Sequence, residues 1–277
     1  MKIGLIGTGT MGGMLAHSFV QSAARTADQV VLFNRTPEKA HAIAAHHHGM
    51  QVAVSIKQLV EQCSILFICV KPLEYKSVLD QLQGIVTEQQ IVVTITSPVS
   101  IAQLETALPA KIAKLIPSIT NSLHGGVALY CFGERITSDD RTHLLDLFRG
   151  LGLPLEINER HTRIASDLSS CGPAFLSLLL ELWCQAAVTR TGLNAGAARQ
   201  MIGEMVSGLG RLLTDGDVTP REIIAKVAVP GGITATGLEC LGERCADMFQ
   251  ELTELTHQKF AEDCLHVEQS LQLPTTF

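Results

Sequence analysis

The sequence predicts an α/β protein in which a doubly wound parallel sheet is followed by an all-helical region. A glycine-rich turn directly follows an apolar run near the N-terminus, and short apolar runs then alternate with helical patterns up to residue 157. From residue 158 onward the β-type pattern stops and only helical patterns follow. Alternating strands and helices are typical of a parallel sheet covered by helices. We therefore predict a sheet domain over residues 1–157 and a helical domain over residues 158–277.

The composition limits the classes of function. Of the 277 residues, 46% are hydrophobic and 17% are charged, as expected of a soluble two-domain protein. The net charge of -6 gives no electrostatic reason to bind nucleic acid or an anionic membrane. The eight cysteines form no CxxC pair, and the first motif begins at residue 3, too early for a signal peptide. We therefore expect reduced thiols and a cytoplasmic protein.

The first element is a strand that enters the turn Gly7-x-Gly9-x-x-Gly12, after which a helical pattern begins at once. This strand–turn–helix context is the one that the dinucleotide-binding fingerprint requires. Gly7 permits the tight turn, Gly9 lets the backbone approach a pyrophosphate, and Gly12 lets the helix pack closely on the strand. The free N–H groups of the helix start, which include those of Thr10 and Met11, would bind the anion.

The second strand, predicted over residues 29–33, ends at Asn34 and Arg35. At this position a carboxylate binds the ribose 2′-hydroxyl of NAD, whereas an arginine accepts the 2′-phosphate of NADP. Because no acidic residue is adjacent to Arg35, the sequence favours NADP(H), with Asn34 and Arg35 as cofactor-binding residues and no acid opposing the arginine. The alternative is that Arg35 is an ordinary solvated turn residue.

The next helix is predicted to begin with Thr36 as its cap and Pro37 in its first turn, and to stop at Gly49. It contains the histidine triplet 46–48, which raises the question of a metal site. Adjacent helical residues point in different directions, so we interpret the triplet as a solvated helix end and predict no metal site.

An apolar run over residues 64–70 predicts a central strand, with Lys71 and Pro72 at its carboxyl end. Open α/β sheets bind ligands at that end of their strands, which makes Lys71 a candidate cofactor contact. Further strands are predicted at 91–95, 111–116, 127–132 and 153–155, and further helices at 73–82, from a capped start at Ser100, and at 138–149.

The helical region is predicted to break at residues 172–173, 192, 216 and 230–232, and a helix is predicted to start at Thr219. Its most apolar helix, at residues 174–188, carries Glu181 and Gln185, and we interpret it as a buried helix instead of a membrane span. Since this helix is apolar nearly all round, other helices must cover it, and we expect an intertwined homodimer or higher homo-oligomer.

Residues 229–235 lie between two of the predicted helices. Two glycines, Gly231 and Gly232, precede a helix there and would expose backbone N–H groups to a carboxylate. Thr234 adds a hydroxyl that both donates and accepts a hydrogen bond. The alternative is a plain interhelical turn in which Thr234 serves as a cap.

Taken together, these motifs resemble the pyrroline-5-carboxylate reductase family over nearly the whole chain. The matching pieces are Gly7–Gly12, Asn34–Arg35, Cys69–Val70–Lys71–Pro72, residues 169–174 and residues 229–234. The resemblance implies that Cys69, Val70, Lys71 and Pro72 line the nicotinamide side of the cofactor site. It further implies that the Pro-Gly-Gly loop holds the substrate carboxylate across a dimer, and that Thr234 hydrogen-bonds the ring nitrogen as the catalytic residue.

The chain departs from the family pattern around the substrate. Val229 replaces a serine and Ile233 a threonine in the loop, while Ser118 and Pro98 stand in two further altered segments. This set is most similar to the ComER branch of the family, reductase-like proteins found beside late competence genes. A hydrogen bond lost to a charged group costs about 1.5–3 kcal/mol, so Val229 would weaken carboxylate binding.

The resemblance implies an NADPH-dependent reductase that transfers hydride to the C=N bond of a small cyclic imino acid, as in proline biosynthesis. The alternative is a non-catalytic or weakly catalytic NADPH-binding regulator linked to competence or sporulation. A third possibility, a β-hydroxyacid dehydrogenase, requires a catalytic lysine on a helix after the sheet. Residues 158–199 contain no lysine, which ranks this possibility last.

Overall fold

The computed structural model describes residues 1–216 and 218–275 of the chain. It divides into two compact units, one formed by Met1–Gly172 with the chain from Thr256 onward, and the other by Pro173–Leu255. The first unit contains the sheet, and the second consists of helices. The domain boundary at residue 157 stays a prediction, because compactness alone does not establish which segment folds independently.

The first unit is built on one eight-stranded sheet in the order β3-β2-β1-β4-β5-β6-β7-β8. The strands are β1 Ile3–Ile6, β2 Val30–Phe33, β3 Gln51–Val52, β4 Ile65–Ile68, β5 Ile91–Thr94, β6 Lys111–Ile116, β7 Val127–Phe132 and β8 Leu153–Glu156. All neighbouring strands are parallel except β6 and β7, which are antiparallel. The predicted fold, a doubly wound parallel sheet followed by helices, is thereby confirmed.

The antiparallel pair is a departure from the fully parallel sheet that the sequence predicts. A parallel neighbour requires a crossover of a dozen or more residues, usually with an α-helix. The segment between β6 and β7 contains only a short 3-10 helix, Ile119–Leu123, so the chain turns back on itself. His124 and Gly126 adopt positive φ angles of 56° and 70° in this turn.

Hydrophobic cores cover both faces of the sheet. Ile3 and Leu5 of β1 belong to one core, whereas Ile6 belongs to the other, as expected when successive strand residues point to opposite faces. All four residues of β1, β4 and β5 are buried. This burial on both faces explains why these strands are continuous apolar runs in the sequence.

Helices connect the strands of the first unit. They are α1 Thr10–Gln21, α2 Pro37–Ala44, α3 Ile56–Gln62, α4 Tyr75–Leu82, α5 Ile101–Ala107 and α6 Ser138–Arg149. The predicted cap at Ser100 is present, since its Oγ accepts a hydrogen bond of 3.2 Å from the Gln103 N–H. Thr36 is the N-cap residue of α2 and Pro37 lies in its first turn, as predicted, although the Thr36 side chain makes no capping hydrogen bond.

The remaining helices are α7 Thr162–Ser166, α8 Gly172–Thr191, α9 Ala195–Thr214, α10 Pro220–Val227, α11 Ile233–Cys245 and α12 Met248–Leu271. The predicted start at Thr219 is confirmed by a reciprocal capping pair with Glu222, at 2.8 and 3.3 Å. The predicted break after α8 is also present, where Gly192 has a φ of 74°.

The predicted break at Gly172-Pro173 is wrong, because the helix continues through it by way of a π-turn at Asp167–Cys171. A proline inside a helix has no N–H to donate to the carbonyl four residues earlier. For Pro173 that carbonyl belongs to Ser169, and it accepts a hydrogen bond of 2.8 Å from the Ser118 hydroxyl. A side chain of the β6–β7 connection thus replaces the missing backbone donor.

The α8 helix is largely exposed within its own chain, so its predicted burial rests on the expected oligomer. Cys184 is its only buried residue, while Leu178 and Trp183 are each 61% exposed. Among the described residues, the helical segment Glu159–Thr191 is the one long and apolar enough to cross a membrane by length and composition. An apolar surface of this kind is also expected of a helix that a second protein chain covers.

Candidate functional site

The glycine-rich turn after β1 is held from two sides by backbone hydrogen bonds. Gly7 has a φ of 99°, and its N–H donates to the Phe33 carbonyl at 2.8 Å, where β2 ends. A Cβ at Gly7 would lie 2.8 Å from the Cys69 carbonyl oxygen, and a Cβ at Gly12 would overlap the carbonyl oxygen of Gly7. Only glycine fits either position, as the fingerprint predicts.

Gly9 differs from these two glycines because open space surrounds it. A Cβ built there would meet no atom within 4 Å. Gly9 is the N-terminal cap of α1 and provides no capping side chain, so the first N–H groups of the helix, from Thr10 and Met11 onward, lack a side-chain acceptor. The neighbouring Thr8 hydroxyl is buried and has no hydrogen-bond partner among the described residues. An open backbone, an uncapped helix start and an unpaired hydroxyl fit the pyrophosphate of a dinucleotide.

Asn34 fixes the turn at the end of β2. Its side-chain oxygen accepts a hydrogen bond of 3.0 Å from the Thr8 N–H, and its amide donates to the Thr36 carbonyl at 2.9 Å. Asn34 is therefore a positioning residue of the glycine-rich turn in this structure, a contact that the sequence did not reveal.

Arg35 lies beside the same turn, with 87% of its side chain exposed. The expectation that no acid opposes it is wrong, because its guanidinium lies 3.1 Å from a carboxylate oxygen of Glu74. The two residues are 39 positions apart, and the sheet order brings them together: β2 and β4 flank β1. Sequence proximity cannot reveal such a pair.

The segment after β4 contains the other predicted cofactor contacts. Cys69 and Val70 are partly buried beside the glycine-rich turn, while Lys71 is exposed and Pro72 opens a 3-10 helix that ends at Glu74. Burial raises the pKa of the Cys69 thiol, which stays protonated. The structure thus brings Cys69 and Val70 to the turn that the fingerprint defines.

Tyr75 anchors this segment and was not identified from the sequence. Its side chain is fully buried, and its hydroxyl is bonded to the Ile68 carbonyl at 3.1 Å and to the Thr94 hydroxyl at 2.7 Å. It joins the start of α4 to the carboxyl ends of β4 and β5. A buried tyrosine commonly finds such partners, but only the fold determines which ones.

A buried ion pair fixes the loop after β5. Lys114 of β6 is fully buried, and its ammonium lies 2.8 Å from Glu159 and 3.1 Å from the Ser97 carbonyl. The same Glu159 oxygen accepts the Ile101 N–H at 2.9 Å. Burial lowers the pKa of Lys114, and the Glu159 carboxylate opposes that shift. Pro98, one of the departures from the family pattern, is buried in the loop that this pair holds.

The histidine triplet has a partner that the sequence did not reveal. His17 of α1 lies with its Nδ1 2.6 Å from Nε2 of His47, and its ring centroid is 5.9 Å from that of His46. Partial burial of the ring and the neighbouring His47 and His46 lower the pKa of His17. Within the described part of the chain, no group of three His, Cys, Asp or Glu is arranged to hold a metal ion.

The candidate substrate loop lies in the second unit. Gly231 has a φ of 74°, the Gly232 N–H donates to the Val229 carbonyl at 3.0 Å, and Gly232 caps α11 without a side-chain bond. Val229 is 62% exposed, and Thr234 is exposed in the first turn of α11. The hydroxyl of Thr234 has no hydrogen-bond partner among the described residues, and the first N–H groups of α11 point out of the helix end.

Comparisons with known proteins agree with this arrangement. A family model described as pyrroline-5-carboxylate reductase dimerisation matches residues 159–263, and one described as NADP oxidoreductase, coenzyme F420-dependent, matches residues 2–98. ComE operon protein 4 of Bacillus subtilis is 38% identical over 99% of this chain and 100% of that protein. Pyrroline-5-carboxylate reductase 3 of the same organism is 27% identical, over 94% of this chain and 95% of that protein. The NADP-bound pyrroline carboxylate reductase of Plasmodium falciparum matches with a TM-score of 0.82 and 23% identity, and covers 98% of both chains.

A glycine-rich turn after the first strand of a parallel sheet, matched to NADP oxidoreductases, defines the class as Rossmann-type NADP-dependent oxidoreductases. The same match confirms the prediction of NADP(H) as cofactor. Within this class, the chain belongs to the pyrroline-5-carboxylate reductase family. The family predicted from the sequence is thereby confirmed, together with the similarity to the ComER branch.

Proposed function

We propose that this protein reduces the C=N bond of a small cyclic imino acid, pyrroline-5-carboxylate or a close analogue, with NADPH. The observation that carries the proposal is the glycine-rich turn, where Gly9 is open and the Thr8 hydroxyl is unpaired beside an uncapped helix start. The retained Thr234 and the two loop glycines support a substrate with both a ring nitrogen and a carboxylate. In the overall reaction one hydride and one proton add across C=N, and NADPH is oxidised to NADP⁺.

In this proposal the cofactor supplies the hydride, and the protein supplies position and electrostatics. The N–H groups of Gly9, Thr10 and Met11 bind the pyrophosphate, while Arg35 takes the 2′-phosphate. Cys69, Val70, Lys71 and Pro72 line the nicotinamide side, with Cys69 as a neutral thiol. These assignments follow from the fingerprint and from the family resemblance.

The substrate is held by the second unit in this proposal. The Gly231 N–H and the first N–H groups of α11 bind the carboxylate, because the Gly232 N–H already donates to the Val229 carbonyl at 3.0 Å. The Thr234 hydroxyl orients the ring nitrogen. An iminium ion is electrophilic without a dedicated protein acid, so catalysis rests on holding the imine carbon within reach of the hydride donor. Val229 offers no hydroxyl to the carboxylate, and Ile233 is 96% exposed beside it. We therefore propose weak turnover of pyrroline-5-carboxylate or preference for a less polar imine.

The assembly that we propose is a cytoplasmic homodimer or higher homo-oligomer formed through the helical domain. The match of residues 159–263 to a dimerisation model and the exposed apolar surface of α8 support it. A second chain would cover Leu178 and Trp183, which the first chain leaves in solvent.

The deciding experiment measures NADPH oxidation with pyrroline-5-carboxylate and a series of less polar cyclic imines, in wild type and Thr234→Ala. We expect turnover by the wild type and a loss of activity on every imine in the variant, with unchanged NADPH affinity. NADPH binding without turnover of any imine would overturn the reductase proposal and favour the regulatory alternative. A silent Thr234→Ala in an active enzyme would reduce the loop to a turn.

A further inference from the structure

The Arg35–Glu74 ion pair crosses the carboxyl end of β1. Arg35 follows β2 by two residues, and Glu74 follows β4 by six. Because β2 and β4 lie on either side of β1, the pair stands beside the turn in which Gly9 is open. The Glu74 carboxylate therefore already pairs with the Arg35 guanidinium, which the sequence assigns to the 2′-phosphate of the cofactor.

The two members of the pair differ in how firmly they are held. Glu74 is the third residue of a 3-10 turn, with its N–H bonded to the Lys71 carbonyl at 2.9 Å and its carboxylate accepting the Lys71 N–H at 3.3 Å. The next residue, Tyr75, is fully buried and doubly hydrogen-bonded. The Arg35 side chain, by contrast, is 87% exposed and is held by its ion pair with Glu74. The carboxylate is thus fixed, and the guanidinium is free to turn away.

We propose that Glu74 is a cofactor-specificity residue, a resident anion that competes with the 2′-phosphate of NADPH for Arg35. Binding of NADPH exchanges one anion for another on the guanidinium and leaves the Glu74 carboxylate beside the phosphate as a like charge. Binding of NADH, which has no 2′-phosphate, leaves the ion pair intact. Glu74 consequently weakens NADPH binding more than NADH binding and narrows the preference that Arg35 creates.

The size of the effect follows from the exposure of the pair. Exposed ion pairs are weak and are screened by solvent, so the exchange changes affinity by a small factor, about three- to fivefold. Screening by salt reduces both the pairing and the repulsion. The effect of Glu74 should therefore shrink as the ionic strength rises.

The test rests on the proposed NADPH site and measures binding, not turnover. Dissociation constants for NADPH, NADH and adenosine 2′,5′-bisphosphate are determined by calorimetric titration for wild type, Glu74→Gln and Glu61→Gln. Glu61 is the matched control, since its carboxylate also lies beside a cation, 4.0 Å from the Lys57 ammonium, and its replacement changes the net charge equally. We expect Glu74→Gln to tighten NADPH and the bisphosphate about three- to fivefold, and NADH by less than twofold.

A double-variant arm tests the mechanism. In an Arg35→Ala background, Glu74→Gln should tighten NADPH by a smaller factor, because no guanidinium remains to be released. Equal tightening of NADPH and NADH, an equal effect of Glu61→Gln, or no effect of Glu74→Gln would each overturn the inference. Failure of the wild type to bind NADPH at all would instead overturn the proposed function.

Discussion

The turn at residues 7–12 and the turn at residues 229–234 share one backbone design in different surroundings. Each contains a glycine with positive φ, Gly7 at 99° and Gly231 at 74°. Each also contains a glycine that caps a helix without a side-chain bond, Gly9 before α1 and Gly232 before α11. Both therefore present free N–H groups at a helix start, the arrangement that binds anions.

The surroundings of the two turns differ sharply. A Cβ at Gly7 would contact the backbone of Cys69, whereas one at Gly231 would meet no atom within 4 Å. The β1 residues that lead into the first turn are buried, while Val229 of the second is 62% exposed. The local sequence thus encodes an anion-binding turn, but the residues that surround the turn come from tertiary structure. The turn at residues 7–12 is surrounded by residues of its own unit. We expect a second chain to provide the residues that surround the turn at 229–234.

The largest expected effect tests whether a second chain covers the helical unit. Leu179 lies on α8 and is 38% exposed in the single chain. If a second chain covers it, Leu179→Lys would bury an unpaired charge, at a cost of several kcal/mol. We expect this variant to dissociate or unfold, measured by light scattering and thermal melting.

The matched control is Leu123→Lys, which makes the same replacement at an 85% exposed leucine of the sheet unit. It should leave both assembly and melting temperature unchanged. A wild type that is monomeric and stable at micromolar concentration would contradict the comparison, as would a Leu179→Lys variant that remains a dimer.

The second prediction separates the packing of the turn at residues 7–12 from its ability to bind an anion. A Cβ at Gly12 would overlap the Gly7 carbonyl, so Gly12→Ala should lower the free energy of unfolding by about 1–3 kcal/mol or more. Gly9→Ala meets no atom within 4 Å and should leave stability within about 0.5 kcal/mol. Its methyl group would still enter the space above the helix start, and we expect at least tenfold weaker NADPH binding. Chemical denaturation and cofactor titration of both variants provide the check, and equal stability of the two would refute the assignment of roles.

Strong local patterns could be predicted from the sequence, while contacts between distant segments could not. Strands Lys111–Ile116 and Val127–Phe132 and helix Ser138–Arg149 have the predicted bounds, because apolar periodicity determines them. The antiparallel direction of β7 depends on the length of its connection, which periodicity does not encode. Where the helix continues past Pro173, the freed Ser169 carbonyl accepts a hydrogen bond from the Ser118 hydroxyl, 51 positions earlier in the chain.

The candidate site divides in the same way. The glycines of both turns could be named from their spacing. Glu74, Tyr75 and Lys114 could not, because their importance arises from partners on neighbouring strands. The cover of α8 could be expected only from its unusual composition.

The third prediction concerns the turn at residues 229–234. If the Gly231 N–H and the first N–H groups of α11 bind a carboxylate, Val229→Ser should add one charge-assisted hydrogen bond. We expect kcat/KM for pyrroline-5-carboxylate to rise roughly tenfold, the equivalent of about 1.4 kcal/mol. Val227→Ser is the control, since Val227 is 57% exposed at the end of α10 and lies outside the loop. The proposal for the loop fails if Val229→Ser has no effect in an enzyme that already turns over pyrroline-5-carboxylate efficiently.

The smallest expected effect concerns α1, the helix that begins in the turn at residues 7–12. One imidazole nitrogen of the His17–His47 pair must donate and the other accept, at 2.6 Å, so a doubly protonated pair has no acceptor. Partial burial and the neighbouring histidines lower the pKa of His17 below its ordinary value of 6.5. The folded protein therefore binds fewer protons than the unfolded chain as the pH falls through 6.5.

The contribution of this pair to stability is complete above pH 6.5 and declines as the pH falls below that value. Solvent screens these partly exposed rings, which limits the loss to less than about 1 kcal/mol. In His17→Gln, the decrease in melting temperature between pH 7.5 and 5.5 should be smaller than in the wild type, because one of the two coupled rings is absent. His143→Gln is the control, since His143 is an exposed histidine on α6 that lies outside the pair. If the melting temperatures of both variants fall with acid as steeply as that of the wild type, the histidine pair does not stabilise α1. Packing alone then stabilises the turn at residues 7–12.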